Sequence, residues 1–343
     1  MIGQIVDYAR RGVDSIRQRG VSTTVFFALR EFYRSRAVKR TASKIGLRLA
    51  RIDVLYEAYL SVMRDLTRRL ASHSESKIKT EDWDYLIVLD GCRYDTFEAV
   101  SDLDGRLLKY DSRCGGTKEW LIDSFGDGDW SDTIYISGSA WLTDEAMDDR
   151  FGGDPFKSVD KVWDYGWDTE LGTCPADIVW KAATNAVADD PDARVVVHFE
   201  QPHTPFIGDV DLSYEGKDAE MLDDHRDVSR VHYHEWQALR NGDLTREEVQ
   251  QGYRANLGYV LEEVEKLLPV LDGKVVVTSD HGNAMGELCL FGHPGPLTPE
   301  TSEVPWLEID AERTREPERH DIDRSSDEDL TPDDRLRALG YKR

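Results

Sequence analysis

The chain has 343 residues, enough for one large α/β domain or two smaller ones. Its 67 acidic against 43 basic side chains, 13 of them Lys and 30 Arg, leave a net charge of −24, which excludes a nucleic-acid partner held through phosphate contacts and matches the hydrated, self-repelling surface of a protein from a salt-loving microbe. Cys92, Cys114, Cys174 and Cys289 are widely spaced with no C-x-x-C, which excludes a disulfide framework or zinc ribbon and fits a reducing interior.

Residues 1–72 read as a basic, amphipathic helical extension. Ile2, Ile5, Val6, Ala9, Val13 and Ile16 recur at helical spacing, Val25, Phe26, Leu29, Phe32 and Tyr33 form a second stripe, and a third helix spans roughly 43–70. Residues 1–70 carry a net +9, whereas residues 71–343 carry −33. Two uses of this segment stay open: contact with an anionic membrane surface, or packing of its arginines on the acidic remainder. In molar salt the Debye length is only about 3 Å, so apolar residues such as Phe26 and Phe27 must supply most of any membrane affinity. No apolar run approaches the roughly 18 residues of a membrane span. Arg10-Arg11 is followed by polar Gly12-Val13-Asp14-Ser15 instead of an apolar stretch, so the expected location is cytoplasmic, including the inner membrane surface.

Residues 73–82 read as a polar linker, and the pattern then changes. Tyr85–Leu89, Thr133–Ile136, Val195–Val197 and Val275–Val277 are short apolar runs of the kind buried in a parallel sheet. Helical stretches lie between them, the clearest from Glu247 to Leu268 with Tyr253, Leu257, Leu261, Val264 and Leu268 on one stripe. Strands alternating with helices predict an α/β catalytic domain over 83–310, a mostly parallel central sheet with helices on both faces. Residues 311–343 read as an acidic tail ending in a short helix that starts at Thr331-Pro332.

Chemistry-bearing residues follow the strands, where ligands of such sheets gather. Asp90 opens Asp90-Gly91-Cys92-Arg93-Tyr94-Asp95; on its own, a strand-end Asp also serves as a helix cap. Ser279-Asp280-His281-Gly282 offers a carboxylate and an imidazole to one cation, with Gly282 easing the turn. His203 stands between Pro202 and Pro205, a stiffened loop suited to holding an anionic group. His293 lies in Gly292-His293-Pro294. Trp163, Trp167 and Trp180 are read as core before pocket lining, and His225, His232 and His234 as a solvated helix.

Taken in order, D-G-C-R-Y-D, H-T-P-F, T-S-D-H-G-N-A-M-G-E, G-H-P and E-V-P-W-L resemble the successive signatures of sulfatase-like members of the alkaline-phosphatase superfamily, over about residues 83–343. The resemblance implies an alkaline-phosphatase-like fold, with Asp90, Asp280 and His281 as metal ligands. It also implies contacts of His203 and His293 with the transferring group or the leaving group. Arg93 and Lys118 become candidate substrate-binding residues, Arg93 chiefly as a support for Asp90. The nucleophile is expected in Ser112–Trp120. There Thr117, after two glycines and at a helix start, resembles the Thr or Ser of the phosphatase and transferase branches. Cys114-Gly115-Gly116-Thr117-Lys118 echoes the sulfatase Cys-x-Pro-x-Arg, but Gly116 replaces Pro and Lys118 replaces Arg, so Thr117 is preferred to Cys114. No His has an Asp four residues before it, so the Asp-x-x-x-His that holds the second zinc of two-metal members has no counterpart. One divalent cation on Asp90, Thr117, Asp280 and His281 is expected, Mn²⁺ or Zn²⁺ before Mg²⁺ or Ca²⁺.

The implied function is a metal-dependent hydrolase of phosphate or sulfate esters acting through a covalent intermediate on Thr117. A phospho-alcohol transferase acting on lipid-linked or glycan substrates is the alternative, and a non-catalytic binding protein of the same fold is a third. In each case the expected partner is an anionic ester, glycan or lipid-linked.

Overall fold

Tyr85–Leu89 (β1) lies at the centre of a seven-stranded sheet and is buried on both faces. The other strands, in chain order, are Arg106–Asp111 (β2), Trp130–Ser137 (β3), Phe156–Lys161 (β4), Arg194–Phe199 (β5), Gly273–Thr278 (β6) and, past a small hairpin, Glu303–Ala311 (β9). The hairpin pairs Ala284–Met285 (β7) with Phe291–Gly292 (β8). Across the large sheet the order is β2-β9-β6-β1-β5-β3-β4. Strands β6, β1, β5, β3 and β4 pair in parallel, and β9 runs antiparallel to both of its neighbours. The computed structural model describes residues 53–70, 75–143, 151, 153–210, 212, 235–325 and 330–339. The helices expected within residues 1–52 and the histidines His225, His232 and His234 lie outside the described residues.

The sheet separates two apolar cores because alternate side chains of a strand point to opposite faces. Tyr85, Ile87 and Leu89 join Val179 and Ala183 of Ala176–Asp189 (α6) and Leu257, Val260 and Val264 of Arg246–Leu267 (α8). Leu86 and Val88 face the other way, onto Trp120, Leu121 and Phe125 of Thr117–Phe125 (α4) and Trp306 of β9. Helices therefore cover both faces, as the strand–helix alternation predicts. The remaining described helices are Asp53–Leu70 (α1), Lys77–Thr80 (α2), Tyr94–Val100 (α3), Val162–Tyr165 (α5), Glu235–Asn241 (α7), Pro299–Ser302 (α9) and Pro332–Ala338 (α10). Trp163 lies in the first core and Trp167 and Trp180 pack against it, as read from the sequence.

Local signals set the boundaries. At the start of α8 the Glu248 N–H donates to Thr245 Oγ1 at 3.2 Å and the Thr245 N–H to Glu248 Oε2 at 2.7 Å, a reciprocal cap of two orphan donors. Helix α10 opens the same way, with Thr331, Pro332 and Asp334. The stretch read as a polar linker holds α2, with Ile78 buried. Helix α1 buries Tyr56 and Leu60 in a third apolar cluster with Met285, Leu290 and Phe291 of the hairpin region. Burial of such side chains contributes roughly 1.5–3 kcal/mol each, so α1 is packed onto the domain.

Parallel pairing sends the carboxyl ends of β1, β5 and β6 to one edge. Leu89 pairs with Phe199, and Val88 with Thr278. The residues that follow, Asp90, Glu200 and Ser279-Asp280-His281, thus emerge side by side.

Candidate active site

Four buried side chains converge at that edge. Thr117 Oγ1 donates to Asp90 Oδ2 at 3.2 Å and stands 3.5 Å from His281 Nε2. His281 Nε2 lies 3.4 Å from Asp280 Oδ2 and 3.8 Å from Asp90 Oδ1. One ligand atom from each of Asp90, Asp280 and His281 falls within 4.8 Å of the others, the one such cluster of acids, histidines or cysteines among the described residues.

The backbone around the cluster is tightly specified. Gly91 turns the chain after β1 at φ +67°, and a Cβ there would stand 2.4 Å from Asn283 Nδ2. The absence of a side chain permits both the left-handed conformation and this approach. The Gly91 N–H donates to Asp280 Oδ1 at 2.9 Å, and the Asn283 amide donates to the Gly91 carbonyl at 2.9 Å. Tyr253 of α8 donates to the same carbonyl and accepts from the Arg93 N–H at 3.0 Å. Ser279 Oγ accepts from the Cys92 N–H at 2.7 Å and donates to the His281 carbonyl at 2.6 Å. The β1 and β6 loops are therefore stitched to each other.

The hydrogen bonds assign roles to individual atoms. Asp280 Oδ1 accepts from the Gly91 and His281 N–H groups, at 2.9 and 2.8 Å. Asp280 Oδ2 is buried without a hydrogen-bond partner. His281 Nδ1 faces the Gly282 carbonyl at 3.1 Å; a carbonyl only accepts, so Nδ1 carries the proton and Nε2 presents a lone pair. Burial pushes the His281 imidazole down to about 4, which keeps the ring neutral, and pushes the Asp280 carboxyl up. Carboxylates with oxygens within 4.8 Å repel by roughly 3–4 kcal/mol at an effective dielectric constant of about 20. A lone pair and two carboxylates aimed at one point are opposed by electrostatics unless a cation stands among them. The orphaned Asp280 Oδ2 and the mixed O/N donor set fit a divalent cation.

The expected histidines meet beside this cluster. His203 Nε2 and His293 Nε2 are 3.1 Å apart. His203 Nδ1 donates to the Thr204 carbonyl at 2.8 Å, so His203 Nε2 accepts and His293 Nε2 donates. The His293 ring lies against His281, with centroids 4.3 Å apart. His293 Nδ1 points toward the Thr117 loop: it lies 3.6 Å from where a Cβ on Gly116 would stand. Asn256 of α8 donates to the His203 carbonyl at 2.9 Å and fixes the loop.

Other candidates sit differently. The guanidinium of Arg93 forms a two-pronged pair with Asp95, at 2.8 and 2.6 Å, and donates to the Asn283 carbonyl at 3.1 Å and Glu287 at 3.2 Å. It braces the loop after Asp280. Lys118 is exposed next to Thr117. Cys114 is buried in the second core, and burial with nearby Asp123 and Glu119 holds its thiol well above its ordinary value.

Two residues unassigned from sequence also reach the cluster. His198 Nε2 lies 3.7 Å from Asp90 Oδ2 without a hydrogen-bond partner, while its Nδ1 pairs with the Tyr135 hydroxyl at 2.8 Å. Burial pushes this imidazole down to about 4. Glu200 is wholly buried, and burial, then the charges of Asp90 and Asp280, hold its carboxyl well above the usual range. The signal was available in Val195-Val196-Val197-His198, a polar residue at the end of an apolar strand.

No family model and no curated relative matches the chain. Among solved structures it is similar to the soluble domain of lipooligosaccharide phosphoethanolamine transferase A from Neisseria meningitidis, with a TM-score of 0.43 and 14% identity over 65% of this chain and 75% of that one. It is similar to the C-terminal periplasmic domain of EcEptC from Escherichia coli in complex with Zn, with a TM-score of 0.38 and 13% identity over 69% and 75%. A protein in the alkaline phosphatase superfamily from Vibrio parahaemolyticus matches with a TM-score of 0.37 and 13% identity over 71% of this chain and 63% of that one. The fold and the chemistry of the site rest on the chain's own atoms.

Proposed function

We propose that the chain is a metal-dependent hydrolase of phosphate or sulfate esters that works through a covalent intermediate on Thr117. The observation that carries this reading is the convergence of Thr117 Oγ1, Asp90, Asp280 Oδ2 and His281 Nε2, all buried, on one point. These four groups would hold one divalent cation, Mn²⁺ or Zn²⁺ before Mg²⁺ or Ca²⁺ because of the imidazole. When bound, the cation would lower the pKa of the Thr117 hydroxyl and offset charge on the transferring group.

The chain's own residues supply the rest. Asp90 Oδ2 accepts the Thr117 hydrogen at 3.2 Å and orients the oxygen for in-line attack. Thr117 is the first residue of α4; the N–H groups of a first helical turn lack intrahelical acceptors and favour an anion. As the bond from Thr117 Oγ1 to phosphorus or sulfur forms, the bond to the alcohol oxygen breaks. When the His203–His293 pair carries one extra proton, His293 Nδ1, on the side of the Thr117 loop, holds a hydrogen as well as Nε2 and passes it to that oxygen. Water then attacks and returns a proton to His293, the bond from phosphorus or sulfur to Thr117 Oγ1 breaks, Thr117 recovers its hydrogen, and the group leaves as phosphate or sulfate. Cys114 is disfavoured as nucleophile because a thiol held protonated by burial attacks poorly.

A transferase using a lipid-linked acceptor in place of water is the second reading. It is supported by Leu55, Val62 and Leu66, which line the exposed face of α1 beside the basic segment and suit a peripheral membrane contact. Four free thiols support a reducing, cytoplasmic setting, and no described helix is long and apolar enough to cross a membrane.

The test is metal analysis of the purified protein, followed by turnover of p-nitrophenyl phosphate, a p-nitrophenyl phosphodiester and p-nitrophenyl sulfate, with and without anionic lipid. Asp280→Ala is expected to lose both metal and turnover, and Thr117→Ala to lose turnover by about 10³-fold or more. Full activity in Thr117→Ala would discard the covalent scheme, and a requirement for lipid would favour the transferase.

A further inference from the structure

Helix α1 reaches the loops that carry Thr117 and His293, and it does so at several points. The two loops touch backbone to backbone: a Cβ on Gly115 would stand 2.8 Å from the Gly295 carbonyl oxygen and 2.9 Å from Gly295 Cα. On the other side of Gly295, whose φ is +99°, a Cβ would stand 2.9 Å from Cδ of Arg64 in α1. Gly115, Gly295 and the Arg64 stem are thus stacked, with no room for a side chain on either glycine.

Polar contacts fasten the stack. Thr67 Oγ1 accepts from the Leu297 N–H at 2.9 Å, while its own hydrogen goes to the Met63 carbonyl at 2.9 Å. Arg68 pairs with Glu119 Oε1, and Glu119 Oε2 accepts from the Gly115 N–H at 3.3 Å. Nearer the start of α1, Tyr59 donates to the Leu288 carbonyl at 2.6 Å, and Tyr56 and Leu60 pack on the hairpin region between His281 and His293. One helix therefore touches the loop before Thr117, the loop after His293 and the segment joining His281 to His293.

We propose that α1 is a strap that holds the Thr117 and His293 loops at their working separation, with Arg68 and Thr67 as positioning residues acting through Glu119 and the Leu297 amide. The inference rests on the proposed roles of Thr117 and His293. Arg68 and Glu119 are about half exposed, and such a pair contributes at most about 1 kcal/mol to stability. Its loss should leave folding intact. A misplacement of about 1 Å between reacting groups, by contrast, lowers a rate by up to about 10²-fold.

The experiment uses the full chain, with R68E, R68K, T67V and T67S variants. Turnover of the best p-nitrophenyl ester, bound metal, melting temperature and amide hydrogen exchange at Gly115 and Leu297 are measured for each. R68E and T67V are expected to lower kcat about tenfold with KM within about twofold. Both should speed exchange at the amide they serve, with metal content and melting temperature unchanged. R68K and T67S, which keep the charge and the acceptor, are expected to match the wild type. Wild-type kcat and exchange in R68E and T67V, in a preparation that turns over, would overturn the strap. A wild type inactive on every ester would instead count against the proposed function, and exchange at Gly115 and Leu297 would still decide the strap.

Discussion

His281 is fixed as a lone-pair donor by one hydrogen bond, that of its Nδ1 to the Gly282 carbonyl, and Asp280 is fixed by two N–H groups on one oxygen that leave the other bare. A pH dependence follows, with two opposing signs. Burial raises the Asp280 carboxyl, so around that raised value the metal-free folded chain binds more protons than the unfolded one and loses stability as pH rises. His281 falls from 6.5 to about 4, so its protonation favours unfolding and costs stability as pH falls through that interval. A cation displaces the Asp280 proton. The rise in melting temperature produced by added Mn²⁺ or Zn²⁺ should therefore be larger at pH 8 than at pH 5; a pH-independent increment would contradict the assignment. Asp90, Asp280, His281 and Thr117 were readable because each follows a strand or opens a helix. His198 carried the mark of a polar residue near the end of an apolar strand, but the face that it and Glu200 take depends on register with β1 and β3, which a single sequence does not display. Arg93 gave no sign that Asp95, two residues on, would occupy its guanidinium.

Among elements, the turn joining β1 to α3 holds the site together most directly. Gly91→Ala would place a methyl 2.4 Å from Asn283 Nδ2 at φ +67°, a left-handed conformation that costs a side-chain-bearing residue roughly 1–2 kcal/mol before the clash is counted. The variant should melt several degrees lower and lose most metal affinity; an unchanged melt with full metal content would show that the turn is not needed. Strands β1, β3, β5 and β6 were legible as continuous Val, Ile and Leu runs, because both their faces are buried. Strand β9 was not, although it lies inside the sheet: Pro305 interrupts Val304–Leu307, and a proline ordinarily argues against a central strand. Strand β2 is largely exposed and offered little apolar pattern, and the β7–β8 hairpin is only two residues deep.

For the whole molecule, charge is the dominant fact. A net of −24 on one chain repels itself, and salt relieves that repulsion as the Debye length falls from about 10 Å at 0.1 M to about 3 Å at 1 M. The melting temperature should rise steadily between 0.1 and 3 M KCl; a fall over that range would contradict the salt-adapted reading. The charge asymmetry, +9 in the first 70 residues, was visible from the start. Among the described residues Arg68 meets Glu119 in the sense of that asymmetry, whereas Arg240 of α7 meets Asp53 of α1 with the charges reversed. The pairing partners could not be read from sequence, because they lie 51 and 187 residues apart.

Whether Asp90, Thr117, Asp280 and His281 share one cation is decided by anomalous diffraction from crystals grown with Mn²⁺ or Zn²⁺. A single strong peak is expected about 2.0–2.3 Å from oxygens of Asp90, Thr117 and Asp280 and from His281 Nε2. A peak elsewhere, or none at saturating metal, would contradict it.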